Sequence, residues 1–187
     1  MKILILGVET PKVHMLELRH VDQILAVDKT IELHTPLAAN TEEVQTYLGD
    51  AEVLAGFPRD LAKISLGSAP QLKWIHTFSV GMERVLTSEL KASNILVSNS
   101  SGVHAIPIAE YVLACILFFA KKFYQSFQNQ RQAVWQPLDG MTEIRGSTLL
   151  VVGLGRIGIE IGKVTAGAGM RVIAIDRPGM EGPEFVQ

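Results

Sequence analysis

The chain has 187 residues, 48% of them hydrophobic and 19% charged, and a formal net charge of −2, the make-up of a folded globular protein rather than a disordered or fibrous one. Seventeen Lys and Arg against nineteen Asp and Glu leave no basic excess to neutralise phosphates, which argues against a nucleic-acid partner. A single cysteine, no zinc-type Cys/His cluster and a longest apolar run interrupted by Pro107 and Glu110 lead to the expectation of a cytoplasmic protein with no disulfide, no metal site and no membrane partner.

Residues 2–7 (KILILG) read as a buried strand, since a short apolar run ending in Gly suits the interior of a parallel sheet. A weak helix is expected near residues 13–19, and strands at residues 24–27, 51–57, 72–78 and 95–98. Thr41-Glu42-Glu43 opens a helix, with Thr41 as N-cap and two acids where the helix dipole favours negative charge. Pro58 and Pro70 mark turns, and a helix is expected over residues 83–90. Strands alternating with helices imply an α/β fold with a parallel sheet covered on both faces. One long helix is then expected from residue 105 to about 130, because Ile106, Ala109, Val112, Leu113, Ile116, Leu117, Ala120 and Phe123 keep the helical period. Such a helix, buried along much of its length, would bridge two domains.

A different pattern begins at residue 147. The apolar strand 147–152 runs directly into Gly153-Leu154-Gly155-Arg156-Ile157-Gly158, a helix follows to Gly167 and Gly169, and a second strand, 170–175, ends on Asp176. A bare G-x-G-x-x-G is a weak signal, but here strand, glycines, helix, strand and acid come in the order a dinucleotide site requires, with Asp176 lying 23 residues after Gly153. Gly153 permits the tight turn, Gly155 lets the backbone approach a pyrophosphate, and Gly158 allows close packing of helix on sheet. The backbone N–H groups of Arg156 and Ile157 face the phosphates at the helix start. The Arg156 side chain either adds a charged contact or is a solvated helix-end residue. Asp176 is expected to accept from the adenosine ribose, and its charge favours NAD over NADP. The adjacent Arg177 weakens that preference, and the alternative for Asp176 is an ordinary turn acid before Pro178-Gly179.

In these blocks the sequence resembles the D-isomer-specific 2-hydroxyacid dehydrogenases. The resemblance covers Leu72-Lys73-Trp74-Ile75, Ser79-Val80-Gly81, Ser101-Gly102-Val103-His104-Ala105, Ala109-Glu110, Trp135, Arg145-Gly146-Ser147-Thr148-Leu149, the glycine motif and Gly169-Met170-Arg171-Val172. It implies a flavodoxin-like substrate lobe (residues 1–103), a bridging helix (104–131) and an incomplete Rossmann lobe that binds NAD (132–187). It further implies that the amides of Ser79, Val80 and Gly81 hold the carboxylate of a small 2-hydroxy or 2-keto acid, and that the full-length protein is a homodimer. The alternative for Gly81 is a simple turn residue, and Met82-Glu83 departs from the acid usual after this loop. In the family an Arg, an acid and a His act after the second nucleotide-binding strand. Only eleven residues follow Asp176, interrupted by Pro178, Gly179, Gly182 and Pro183, so no third strand and helix, and no catalytic residue, are expected within this chain. The five histidines show no ligand spacing; His104, at the start of the long helix, is the most interesting. The expectation is therefore a truncated NAD-dependent oxidoreductase, inactive alone. A non-catalytic dinucleotide-binding module of corepressor type and another Rossmann enzyme, such as a methyltransferase, stand as alternatives.

Overall fold

The computed structural model describes residues 1–7, 9, 10, 13, 14, 17–36, 42–179 and 181–186. Contacts within the chain divide it into two units, Met1–Ser101 and Gly102–Gln187.

In the first unit β1 (Lys2–Leu6), β2 (Glu9–Thr10), β3 (Val13–His14), α1 (Leu18–Val27), β4 (Glu32–His34), α2 (Glu42–Leu48), β5 (Val53–Gly56), α3 (Pro58–Leu61), β6 (Trp74–Thr77), α4 (Ser88–Lys91) and β7 (Leu96–Asn99) follow in order. Strands β2 and β3 make a small antiparallel pair. The other five form a parallel sheet in the order β4-β1-β5-β6-β7. Without the small hairpin this is the 2-1-3-4-5 order of flavodoxin-like sheets. Side chains alternate across it. Leu4, Leu6, Leu54 and Ile75 point to a core with Val44 and Leu48 of α2, while Ile3, Ile5, Val53 and Ala55 meet Ile24 of α1, Leu33 and Phe78 on the other face. Leu4, Leu6, Leu48 and Leu54 are fully buried, each worth about 1.5–3 kcal/mol relative to exposure.

Several expectations are corrected here. Residues 24–27 are the last turn of α1, not a strand. Glu17 and His20 form a reciprocal cap that starts the helix upstream, with Glu17 N donating to His20 Nδ1 at 3.0 Å. Residues 13–19, expected as helix, contain β3 and only the start of α1. Thr41 lies outside the described residues, while α2 does carry Glu42 and Glu43 in its first turn. The helix expected over 83–90 is reduced to α4, which begins late because Thr87 caps it by accepting from Leu90 N at 3.1 Å.

The second unit contains α5 (Ala105–Ala120), α6 (Phe123–Arg131), β8 (Thr148–Val152), α7 (Arg156–Gly167) and β9 (Arg171–Ile175). The single long helix is therefore two. Lys122 adopts a left-handed conformation (φ 52°) and ends the continuous ladder, and α6 carries no buried residue. Helix α5 is also less buried than expected: Ala105 and Ala109 are enclosed, but Ile106, Tyr111 and Phe119 are exposed. Strands β8 and β9 pair in parallel, from Thr148 beside Arg171 to Val152 beside Ile175. Their core consists of Val151, Leu154 and Val172, with Leu149, Ala166, Ala174 and Val186 around it. The tail expected to be too broken for a third strand still makes one parallel bridge, Val186 beside Val172. Among the described residues β8 pairs only with β9, and no helix is long and apolar enough to cross a membrane.

Candidate functional site

The glycine motif forms the turn between β8 and α7. Gly153 continues the ladder by donating to Ile175 O at 2.7 Å, then turns with φ +94°, a conformation that disfavours any side chain. A Cβ on Gly158 would collide with the Gly153 carbonyl and lie 3.1 Å from Val151 Cγ1. Close approach of α7 to β8 therefore demands this glycine. Around Gly155 a Cβ would meet nothing within 4 Å. That open space lies at the N-cap of α7, where no side chain caps the first turn, and the dipole of a helix start favours an anion at that point. The residues present thus fit a pyrophosphate.

Arg156 is exposed at the start of α7 and its guanidinium lies over Gly102. A Cβ there would sit 2.8 Å from Nη1, and the φ of Gly102 is +99°. Ile157 is half-buried in the first turn of the same helix. Asp176 follows β9 directly. Its Oδ2 accepts from Leu154 N at 2.7 Å and its Oδ1 from Arg177 N at 2.6 Å. These two amides, with the Arg177 charge as a smaller addition, hold the carboxyl below the usual carboxylate range against the opposing effect of burial. The structure therefore brings Gly153, Gly155, Arg156, Ile157, Gly158 and Asp176 into one strand–loop–helix–strand corner.

In the first unit, Ser79, Val80 and Gly81 follow β6. Thr77 Oγ1 donates to Ser79 O at 2.8 Å, Ser100 N reaches the same carbonyl at 3.3 Å, and Asn99 Nδ2 donates to Val80 O at 2.8 Å. While those carbonyls are engaged, the N–H groups of residues 79–81 donate to no protein acceptor among the described residues. Consecutive free amides on a turn form an anion-binding concavity. Glu83 lies over the loop, its Oε2 2.8 Å from where a Gly81 Cβ would be.

On the sheet face of β6 and β7 lies a polar chain. Trp74 Nε1 donates to Ser98 Oγ at 2.8 Å, Ser98 Oγ meets His76 Nδ1 at 2.9 Å, His76 Nε2 meets Ser100 Oγ at 3.2 Å, and Ser100 Oγ donates to Thr77 O at 3.0 Å. A hydroxyl has one proton, so Ser100 must accept from His76 Nε2–H, and in the neutral ring Nδ1 is then bare and accepts from Ser98. The network holds one neutral tautomer, and burial pushes the imidazole below its usual range. His104 is exposed at the N-cap of α5, with no cap hydrogen bond from its side chain. Sequence reasoning missed the His76 chain, the Leu154–Asp176 bond and the seat of Arg156 on Gly102. Serine pairing across parallel strands has a sequence signal only once the register of β6 and β7 is known.

The family model of the D-isomer specific 2-hydroxyacid dehydrogenase catalytic domain matches residues 5–174. The chain belongs to this family. Similar relatives include a D-3-phosphoglycerate dehydrogenase from Archaeoglobus fulgidus, 30% identical over 145 residues, covering 72% of this chain and 28% of that protein. A glyoxylate reductase from Thermococcus litoralis is 32% identical over 120 residues, covering 60% of this chain and 36% of the relative. The chain thus spans roughly a third or less of the length of these 2-hydroxyacid dehydrogenases. Among solved structures, a 2-hydroxyacid dehydrogenase family protein from Aeromonas salmonicida superposes with a TM-score of 0.79 at 24% identity, over 96% of this chain and 55% of that one. The D-lactate dehydrogenase of Aquifex aeolicus, solved with NAD and lactic acid, superposes with a TM-score of 0.70 at 24% identity, over 94% of this chain and 52% of that one.

Proposed function

We propose that the chain is the part of an NAD-dependent 2-hydroxyacid dehydrogenase that binds the cofactor and the substrate carboxylate. The observation that carries this reading is the open space beside Gly155 at an uncapped helix start, with Asp176 at the end of the adjoining strand. NAD would supply the hydride acceptor at C2 of a 2-hydroxy acid. Gly153, Gly155 and Gly158 shape the turn, while the amides of Arg156 and Ile157 and the Arg156 guanidinium hold the pyrophosphate. Asp176 accepts from the adenosine ribose and repels a 2′-phosphate, which favours NAD over NADP. The amides of Ser79, Val80 and Gly81 take the carboxylate of a small 2-hydroxy or 2-keto acid. Fold similarity to an enzyme solved with NAD and lactic acid supports the choice of ligands.

This reading assigns no proton-transfer residue within the 187 residues. The isolated chain is expected to bind NAD in a calorimetric titration, more tightly than NADP, and not to oxidise NADH with glyoxylate, hydroxypyruvate or pyruvate. Turnover would show that the chain carries its own acid–base group. Absence of NAD binding would remove the cofactor reading. The homodimer expected of the full-length protein is checked by light scattering; exposed aromatics on α5, α6 and Trp135 support self-association.

A further inference from the structure

We infer that Asp176 is a positioning residue for the glycine loop, so that the shape of the pyrophosphate site depends on the same carboxylate that selects the ribose. The inference rests on the dinucleotide reading above and deepens it. Leu154 is the residue between Gly153 and Gly155 and is itself buried, with its side chain in the core of the second unit. Gly153 turns with positive φ, and a Cβ at either flanking glycine would meet nothing within 4 Å. The segment therefore has little side-chain packing except at Leu154. Its amide is held by Asp176 Oδ2 at 2.7 Å, across 22 positions of sequence. The Asp176 side chain is 15% exposed, and the bond it makes to Leu154 N is partly buried. An orphaned amide at this point would favour a different loop conformation.

Two functions thus meet on one carboxyl group. Oδ2 braces the loop before any nucleotide arrives, and Oδ1 is held by Arg177 N at 2.6 Å. Each carboxylate oxygen has a further lone pair available to a ribose hydroxyl. Removing the negative charge and removing the acceptor should therefore have separable effects. D176N carries no charge and keeps one side-chain oxygen, which can accept from Leu154 N but not also from Arg177 N, because its amide nitrogen only donates. D176A lacks both.

The test compares wild type, D176N and D176A in titrations with AMP, ADP, NAD and NADP. It also follows the Leu154 amide by NMR as pH is lowered through the Asp176 titration. The ratio of ADP to AMP affinity reads the pyrophosphate site separately from the ribose. D176N is expected to lose the preference for NAD over NADP while keeping that ratio. D176A is expected to lose the preference and to lower the ratio about tenfold, the scale of one charged hydrogen bond. In the wild type the Leu154 amide proton should shift as Asp176 takes up its proton, at a pH below the ordinary carboxyl value of 3.8. An unchanged ratio in D176A, or a Leu154 amide indifferent to the titration, overturns the inference. The NMR titration of the wild type decides the matter where D176A does not fold. If the dinucleotide reading itself is wrong, the wild type binds none of the four nucleotides while the Leu154 amide still titrates, and the inference about the pyrophosphate site falls with it.

Discussion

His76 shows how an environment selects one state of a titratable residue. In the neutral ring its Nδ1 accepts from Ser98 and its Nε2–H donates to Ser100, so a second ring proton would force the Ser98 hydroxyl to turn and lose its acceptor. Burial disfavours the cation as well. The unfolded chain takes up this proton near the ordinary value of 6.5, and the folded chain only at lower pH. Between those two values the unfolded state binds more protons, so stability rises with pH through the window. It is complete above 6.5 and is lost as pH falls below it. Urea midpoints between pH 5 and pH 8 should show this slope in the wild type and a weaker one in His76→Gln. Equal slopes would mean that His76 titrates freely.

At the scale of elements, the contact between α7 and β8 depends on a missing side chain. Gly158→Ala would drive a methyl group into the Gly153 carbonyl, a backbone atom that cannot swing aside. The expected cost is about 1–3 kcal/mol, as for other overpacked sites, read as a lower midpoint in chemical denaturation. A midpoint equal to wild type would contradict the close packing. This corner was legible in the sequence because each demand it makes falls on a residue type: glycine at the turn, glycine at the crossing, an acid after the strand. Elsewhere the sequence was less informative. Residues 24–27 have the composition of a strand, but the Glu17–His20 cap begins a helix upstream that continues through them. Lys122 breaks the long helix by adopting φ 52°, a conformation with no marker in a lysine. Strand β4, three residues with one apolar side chain, offered no periodicity and was missed. The edge β4 gives to β1 could be inferred only after the sheet order was known. Backbone bonds such as Leu154 to Asp176 are likewise silent in sequence, since every residue there carries the same N–H.

Over the whole molecule, the two units differ in how much core each owns. The first has buried residues on both faces of a five-stranded sheet, whereas the strand–helix–strand core of the second rests on Val151, Leu154 and Val172. On the second sheet Leu150, Val152 and Ile175 are exposed. Small domains with little buried area are marginal. A fragment of residues 1–101 is therefore expected to unfold cooperatively in urea, and a fragment of residues 102–187 to unfold broadly and bind a hydrophobic dye. A sharp, dye-free transition for the second fragment would refute that difference. The two tryptophans divide between the units as well. Trp74 belongs to the first, where it is 40% exposed, its indole N–H is bonded to Ser98 and its ring lies 6.1 Å from His76; Trp135 belongs to the second and is fully exposed. An indole already in water changes its emission little on denaturation. The change in intrinsic fluorescence of the intact chain on denaturation should therefore come mainly from the first unit, and protonation of His76 beside Trp74 should dim that emission.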